Sequence, residues 1–445
     1  MTFGSPPSGP KRSSHAGLSE CQTIRSAEEE SSAGQVPTSE TSPKTANDAS
    51  AAMQMEIKIL IPPVFVIIAH ISELWYNGRM KSERLFSLDL LRGLDMILLV
   101  VVGPMFWAVD SAWHLPYCVM GQFHHNWGGF TLWDLIMPLF IFMCGSAVPF
   151  ALEKRKTDGR AGLPYWRHVL ARVAVLWILG MIAQGRLLSM DILLINPFNN
   201  TLQAIASGYL VAAAVLAIPS KRVRIAAPFV LAAAYTVFLH FCGDYTIDGN
   251  AATRFERWIL TLITPEGSKA LEMADPGYSW WATIPMFGAM TLCGMAATNI
   301  LMDESAPQAR RLARLSIAGA SLLAFGWAAS PWIPAVKHIY TVTFTAQAMG
   351  WCMLLLAALY FVADVLRMRR GTWMVLLFGQ TSLMAYMCHV FKPAFKAFGK
   401  MFAPGAAHLF GSAAEPIATW LAASSLLVAF LALWRARPRS VRTRP

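Results

Sequence analysis

Charge is scarce in this chain. Only 14% of its 445 residues are Asp, Glu, Lys or Arg, against roughly 25% in a soluble domain. With 55% hydrophobic residues, that scarcity excludes an ordinary water-soluble fold. Cysteine is sparse and scattered: Cys21, Cys118, Cys144, Cys242, Cys293, Cys352 and Cys388 show no CxxC spacing and lie mostly inside apolar runs. A zinc ribbon and a disulfide framework are thereby excluded, and the thiols read as small hydrophobes. No apolar stretch follows a basic start, so no signal peptide is predicted. The formal charge is +11, yet no basic patch exists. Lysines and arginines sit in short clusters between apolar runs, the pattern of membrane loops, so no nucleic-acid partner is expected.

What is abundant is apolar sequence in stretches near the roughly 20 residues that cross a bilayer. Backbone in lipid must satisfy its own hydrogen bonds, so such stretches are helices. The expected fold is an all-α polytopic membrane protein, a single bundle of about ten spans. They are placed at 86–109, 131–152, 168–185, 201–219, 225–242, 280–301, 312–330, 341–366, 373–395 and 414–434. An eleventh is conceivable at 57–75, where Pro62-Pro63 and His70 make a poor span. Residues 1–52 are rich in Ser, Thr, Pro, Glu and Ala and cannot bury enough apolar surface to fold. The segment from Met80 (MKSERLFSLDLLRG) reads as a natural start, which makes 1–79 a disordered extension and 80–445 the transmembrane domain. Basic clusters follow every second span (Lys154–Arg167, Lys221–Arg224, Arg310–Arg314, Arg367–Arg370, Arg435–Arg439). Positive loops face the cytoplasm, so both ends of 80–445 are expected there. Loops 110–130 and 243–279 then lie on the far side.

Two groups of polar residues stand out. In the first span, Asp89, Arg92 and Asp95 follow at i, i+3 spacing, so Arg92 can meet either carboxylate as a structural ion pair. Alternatively Arg92 meets an anionic cofactor. The second group is QFHHNWGGFTLWDLIMPLFIFMCG, residues 122–145. His124 and His125 precede Trp127 and a Gly128-Gly129 pair, and Asp134 opens the second span. A carboxylate that holds one imidazole nitrogen leaves the other free as a general base. Interfacial His and Trp anchoring explains the same residues. No third ligand lies near the two histidines, so no metal is expected. His389 is an intramembrane histidine in the ninth span, and Lys337 with His338 reads as interfacial anchoring.

Residues 84–153, with RLFSLDLLRGLDM followed by HHNWGGFTLWDLIMPLFIFMCGSAVPFALEK, resemble the heparan-alpha-glucosaminide N-acetyltransferase family, above all its bacterial branch of undefined function. That family has a SLDxxRG lead and a HxxWxGxxxxDLxxPxFxFxxG segment. NTLQAIASGYL (200–210) and PGYSWWATIPMFGAMTLCGMAATNI (276–300) are weaker, collinear likenesses. The resemblance implies acetyl transfer from cytosolic acetyl-CoA to a sugar or glycan acceptor across a bacterial inner membrane. It selects His124 as base or acetyl carrier, because His124 stands three positions before Trp127, and it makes Asp134 the group that orients it. Arg92, Arg172 and Gln203 are then expected at the acetyl-CoA, and His125, Asn126 and Trp127 at the acceptor. The chain departs from the family at Gly103-Pro104, where an upstream Asn is expected. The rival reading is a multi-span transporter or lipid-linked sugar flippase. Against it, neither SLDLLRG nor HHNWGGFTLWD has a second copy. A homodimer is compatible with either.

Overall fold

The computed structural model describes residues 85–153, 162–184, 196–265, 278–390 and 392–436. The expectations for 1–79, for the basic residues at 154–160, for Arg437 and Arg439 and for the His389 side chain lie outside them. Among the described residues every regular element is helical.

The helices in chain order are α1 (Phe86–Ile97), α2 (Gly103–Trp113), α3 (Ile136–Ser146), α4 (Leu163–Ala183), α5 (Thr201–Ala217), α6 (Lys221–Cys242), α7 (Ala251–Ile263) and α8 (Ile284–Leu301). They continue with α9 (Gln308–Ala329), α10 (Val342–Tyr360), α11 (Trp373–Gln380), α12 (Ser382–Val390), α13 (Lys392–Lys400), α14 (Ala403–Phe410) and α15 (Ala414–Ala436). Among the described residues seven runs are long and apolar enough to cross a membrane: α4, α6, α8, α9, α15, the run Trp133–Ala151 around α3 and the run Val342–Val365 around α10. α5 is apolar but shorter.

Two expected spans take a different form. The first is α1 and α2 joined by a widened π turn, Leu98–Val102. Pro104 follows it; its ring cannot donate to the carbonyl four residues back and would collide with it, so the helix opens there. The segment 373–395 is not one helix. α11 ends after eight residues, roughly 12 Å of rise. Thr381 has φ −112° and ψ 24°. Its Oγ1 donates to Leu377 O at 2.7 Å beside its own N–H at 3.1 Å, a shared carbonyl that bends the helix, and a new helix starts at Ser382.

Packing sorts the spans into layers. The run around α3 and the helix α8 each have 67% of their most apolar stretch buried, whereas α6 has 11%, so α3 and α8 are central and α6 is peripheral. Contact is close because small residues meet backbone. A Cβ on Gly145 would stand 1.9 Å from Thr291 O, and one on Gly294 would stand 2.0 Å from Phe142 O. Without a hydrophobic drive between helices in lipid, such close approach is what holds them together. α1 and α11 cross in the same way at Gly93 and Gly379. At the α1 end of the bundle, Ser87 N–H donates to Asp364 at 3.0 Å, Arg369 lies over the Phe86 ring, and Arg311 donates to Leu301 O and Ala306 O.

Candidate active site

Four connecting segments meet where α3, α8 and α10 begin. Phe123 stacks on Phe106 at 4.4 Å, and Leu132 N–H donates to Gln122 Oε1 at 3.2 Å. Thr131 Oγ1 donates to His124 O at 3.1 Å, which closes segment 122–132 into a compact loop. Gly129 has a φ of 102°, a conformation that L side chains avoid, and its N–H donates to Ala335 O at 2.9 Å. Trp127 Nε1–H donates to Tyr245 O at 2.9 Å, and its ring stacks on His338. Ser279 N–H donates to His338 O at 3.0 Å. The loop is thus pinned to segments 243–250, 278–283 and 331–341.

The centre of this junction is Asp134, 1% exposed. Its Oδ2 accepts from Thr131 N–H at 3.0 Å. Its Oδ1 lies 2.7 Å from Nδ1 of His125 and 3.3 Å from Nζ of Lys337. The His125 ring is 41% exposed. An ionised carboxylate only accepts, so in the neutral ring Nδ1 carries the hydrogen and Nε2 the lone pair. Lys337 Nζ stands 2.9 Å from Nδ1 and 3.1 Å from Nε2. A donor aimed along one lone pair would be far nearer to one nitrogen than to the other, so the ammonium rests against the ring and its ionic partner is Asp134. Burial pulls the Lys337 ammonium down to about 8, and the Asp134 charge opposes that fall. One turn below, Met137 Sδ contacts the hydroxyls of Tyr340 and Tyr278.

The geometry corrects several expectations. Asp134 orients His125, not His124. His124 is exposed and stands edge-on to Trp107 at 4.9 Å, because its carbonyl is tied to Thr131 and adjacent side chains of an extended segment point apart. His125 is therefore the partner of the acid. Asn126 is exposed, and Trp127 is half-buried as the pin between loops. Lys337 is no interfacial anchor, being 6% exposed. Asp89 pairs with Arg92 at 3.3 Å. Asp95, expected in the same pair, has no partner on either oxygen among the described residues. Arg172 lies over the Tyr209 ring at 4.3 Å, between α4 and α5. Gln203 is committed locally: Nε2 donates to Pro197 O, and Oε1 accepts from Asn199 N–H and Gln184 Nε2. Gly103 also has a structural reason, since a Cβ there would stand 2.1 Å from the Trp133 ring.

One residue of the junction had no signal in the sequence. Glu256, on α7 and 2% exposed, accepts through Oε2 from the N–H groups of Trp281 at 2.8 Å and Trp280 at 3.0 Å and from Ser279 Oγ at 3.4 Å. It fastens the segment that carries Tyr278. Burial outweighs these bonds and pushes its carboxyl from 4.5 up to about 7. A folded-state value above the unfolded one gives stability that is present below pH 4.5 and is lost as pH rises through about 7. Melting temperatures across that range should fall in the wild type and stay flatter in Glu256→Gln. Parallel curves would remove Glu256 as the cause.

A family model described as a domain of unknown function (DUF5009) matches residues 84–192, a stretch that carries α1 to α4, His125 and Asp134. No curated protein matches the chain.

Proposed function

We propose that this chain is a membrane-bound acyltransferase that moves an acetyl group from acetyl-CoA to a sugar or glycan acceptor, with His125 as its base. The observation that carries the reading is the 2.7 Å contact between His125 and the buried Asp134. It supplies an oriented imidazole whose Nε2 lone pair is free, at a half-exposed position. The acceptor hydroxyl or amine passes its proton to Nε2 while its oxygen or nitrogen attacks the thioester carbonyl. The carbon–sulfur bond breaks, and coenzyme A departs as the thiolate. Direct attack by Nε2, which gives an acetyl-imidazole that the acceptor then opens, uses the same atoms. The resemblance of 84–153 to the heparan-alpha-glucosaminide N-acetyltransferase family supports acyl transfer as the chemistry and acetyl-CoA as the donor.

Arg92 is 19% exposed, near the α1 end of the bundle, and among the described residues it pairs with Asp89. In this reading it meets the donor's phosphates. On the same reading the basic segments at 221–224, 310–314 and 367–370 argue by the positive-inside rule for that end in the cytoplasm and for the His125 end on the opposite face of a bacterial inner membrane. The bundle then has about ten spans: the seven long runs, the α1–α2 unit, α5 and the broken segment 373–400. The test is incubation of the purified protein with radiolabelled acetyl-CoA and a panel of amino sugars and glycans. Label should move to one acceptor class. Neither transfer nor acetyl-CoA cleavage above the His125→Ala background would refute the proposal.

A further inference from the structure

Asp95 is 2% exposed, and among the described residues neither of its carboxylate oxygens has a hydrogen-bond partner. It lies nine residues into α1, roughly 14 Å along the axis. α10 packs against α1, and α8 against α10. The rise along α1 puts the acid near the middle of a roughly 30 Å hydrocarbon layer.

No cation offsets it among the described residues. Arg92, one turn earlier, is paired with Asp89. α11, packed on α1, has no titratable side chain. Asp364 accepts from Ser87 N–H and pairs with Arg369, and Tyr386 of α12 donates to Asn200. An unpaired buried carboxylate is far costlier than the neutral acid, so Asp95 holds its proton. A carboxyl that forms no bond adds nothing to the fold, and intramembrane acids of this kind mark proton paths.

Two local features connect Asp95 with the rest of α1. Ser87, eight residues earlier on the same helix face, has a buried hydroxyl oxygen that is likewise unpartnered. The π turn begins three residues after Asp95, and such defects gather at working sites.

We propose that Asp95 is an intramembrane proton-binding site whose proton exchanges with solvent. This does not depend on the acyl-transfer reading. Within that reading it has a stoichiometric use. The acceptor gives up one proton to His125, the thiolate is released beside the same ring, and coenzyme A carries that charge back toward the cytoplasmic end, so a proton site at mid-depth lets the proton follow it and keeps the transfer neutral.

The experiment is infrared spectroscopy of the purified full-length protein in nanodiscs, wild type minus Asp95→Asn, in H2O and in D2O. A carboxylic-acid carbonyl band should be present in the wild type at neutral pH, absent from the variant and shifted to lower frequency in D2O. Absence of the band means an ionised carboxylate and overturns the proposal. A band that does not shift after prolonged D2O exposure means a sealed structural acid and overturns it equally. Should Asp95→Asn fail to insert, modification of the wild type by dicyclohexylcarbodiimide, which attacks protonated carboxyls in membranes, reports the same property. Peptide mass mapping should then find the adduct on Asp95, and an unmodified Asp95 counts against the proposal.

Discussion

Asp134→Asn should lower acetyl transfer by about 10³- to 10⁴-fold while leaving the protein inserted and folded. The substitution keeps the shape of the side chain and retains an oxygen for the Thr131 N–H that Asp134 now accepts at 3.0 Å. What changes is the partner of His125. An amide NH2 facing Nδ1 makes that nitrogen the acceptor, moves the hydrogen to Nε2 and removes the lone pair from the exposed side. Lys337, 6% exposed, also loses its ionic partner. His125→Ala should cost a similar factor, because residues that act as a unit are not additive. His124→Ala should cost less than about 10-fold, since that ring contacts Trp107 and not the acid. Turnover of the three variants in nanodiscs decides between the two histidines. An inactive His124→Ala beside an active His125→Ala would place the base on the wrong ring.

Gly145→Ala should destabilise the bundle by about 1–3 kcal/mol or more, as overpacking of a close contact does. The added Cβ would stand 1.9 Å from Thr291 O, and a backbone oxygen cannot yield by changing rotamer, so α3 and α8 must part. Gly294→Ala meets Phe142 O at 2.0 Å across the same interface. Once one substitution has separated the helices the second finds room, and the double variant should lose less than the sum of the two. Because Asp134 opens the run that leads into α3, activity should fall with stability here, unlike in Asp134→Asn. Thermal unfolding in detergent measures the effect, and strictly additive losses would show that the two glycines do not share one contact.

The helical class was legible in the sequence because its cause is local: apolar runs of sufficient length have no other way to satisfy their backbone in lipid. The Asp89–Arg92 pair was legible for the same reason, as i, i+3 spacing alone brings the two together. So was the position of Asp134 at a helix mouth beside a His-Gly loop. The break at Thr381 had a signal in Gly379 and the Thr-Ser pair, but the apolar composition of 373–395 hid it. Which histidine meets Asp134 was not legible. That choice is made by Gly129 bound to Ala335, Trp127 bound to Tyr245 and Thr131 bound to the His124 carbonyl, contacts with no shared periodicity.

Composition and spacing alone thus determined that the chain folds as membrane helices and that a carboxylate and imidazoles stand at a helix mouth, since both follow from neighbours along the chain. Tertiary structure decided that His125 takes the bond and that Lys337 is buried beside it. It also decided that Glu256 fastens a loop 23 residues away at Ser279 and that Asp95 is left without a partner. Each of these depends on which distant backbone happens to face a side chain, and only packing of the whole bundle sets that.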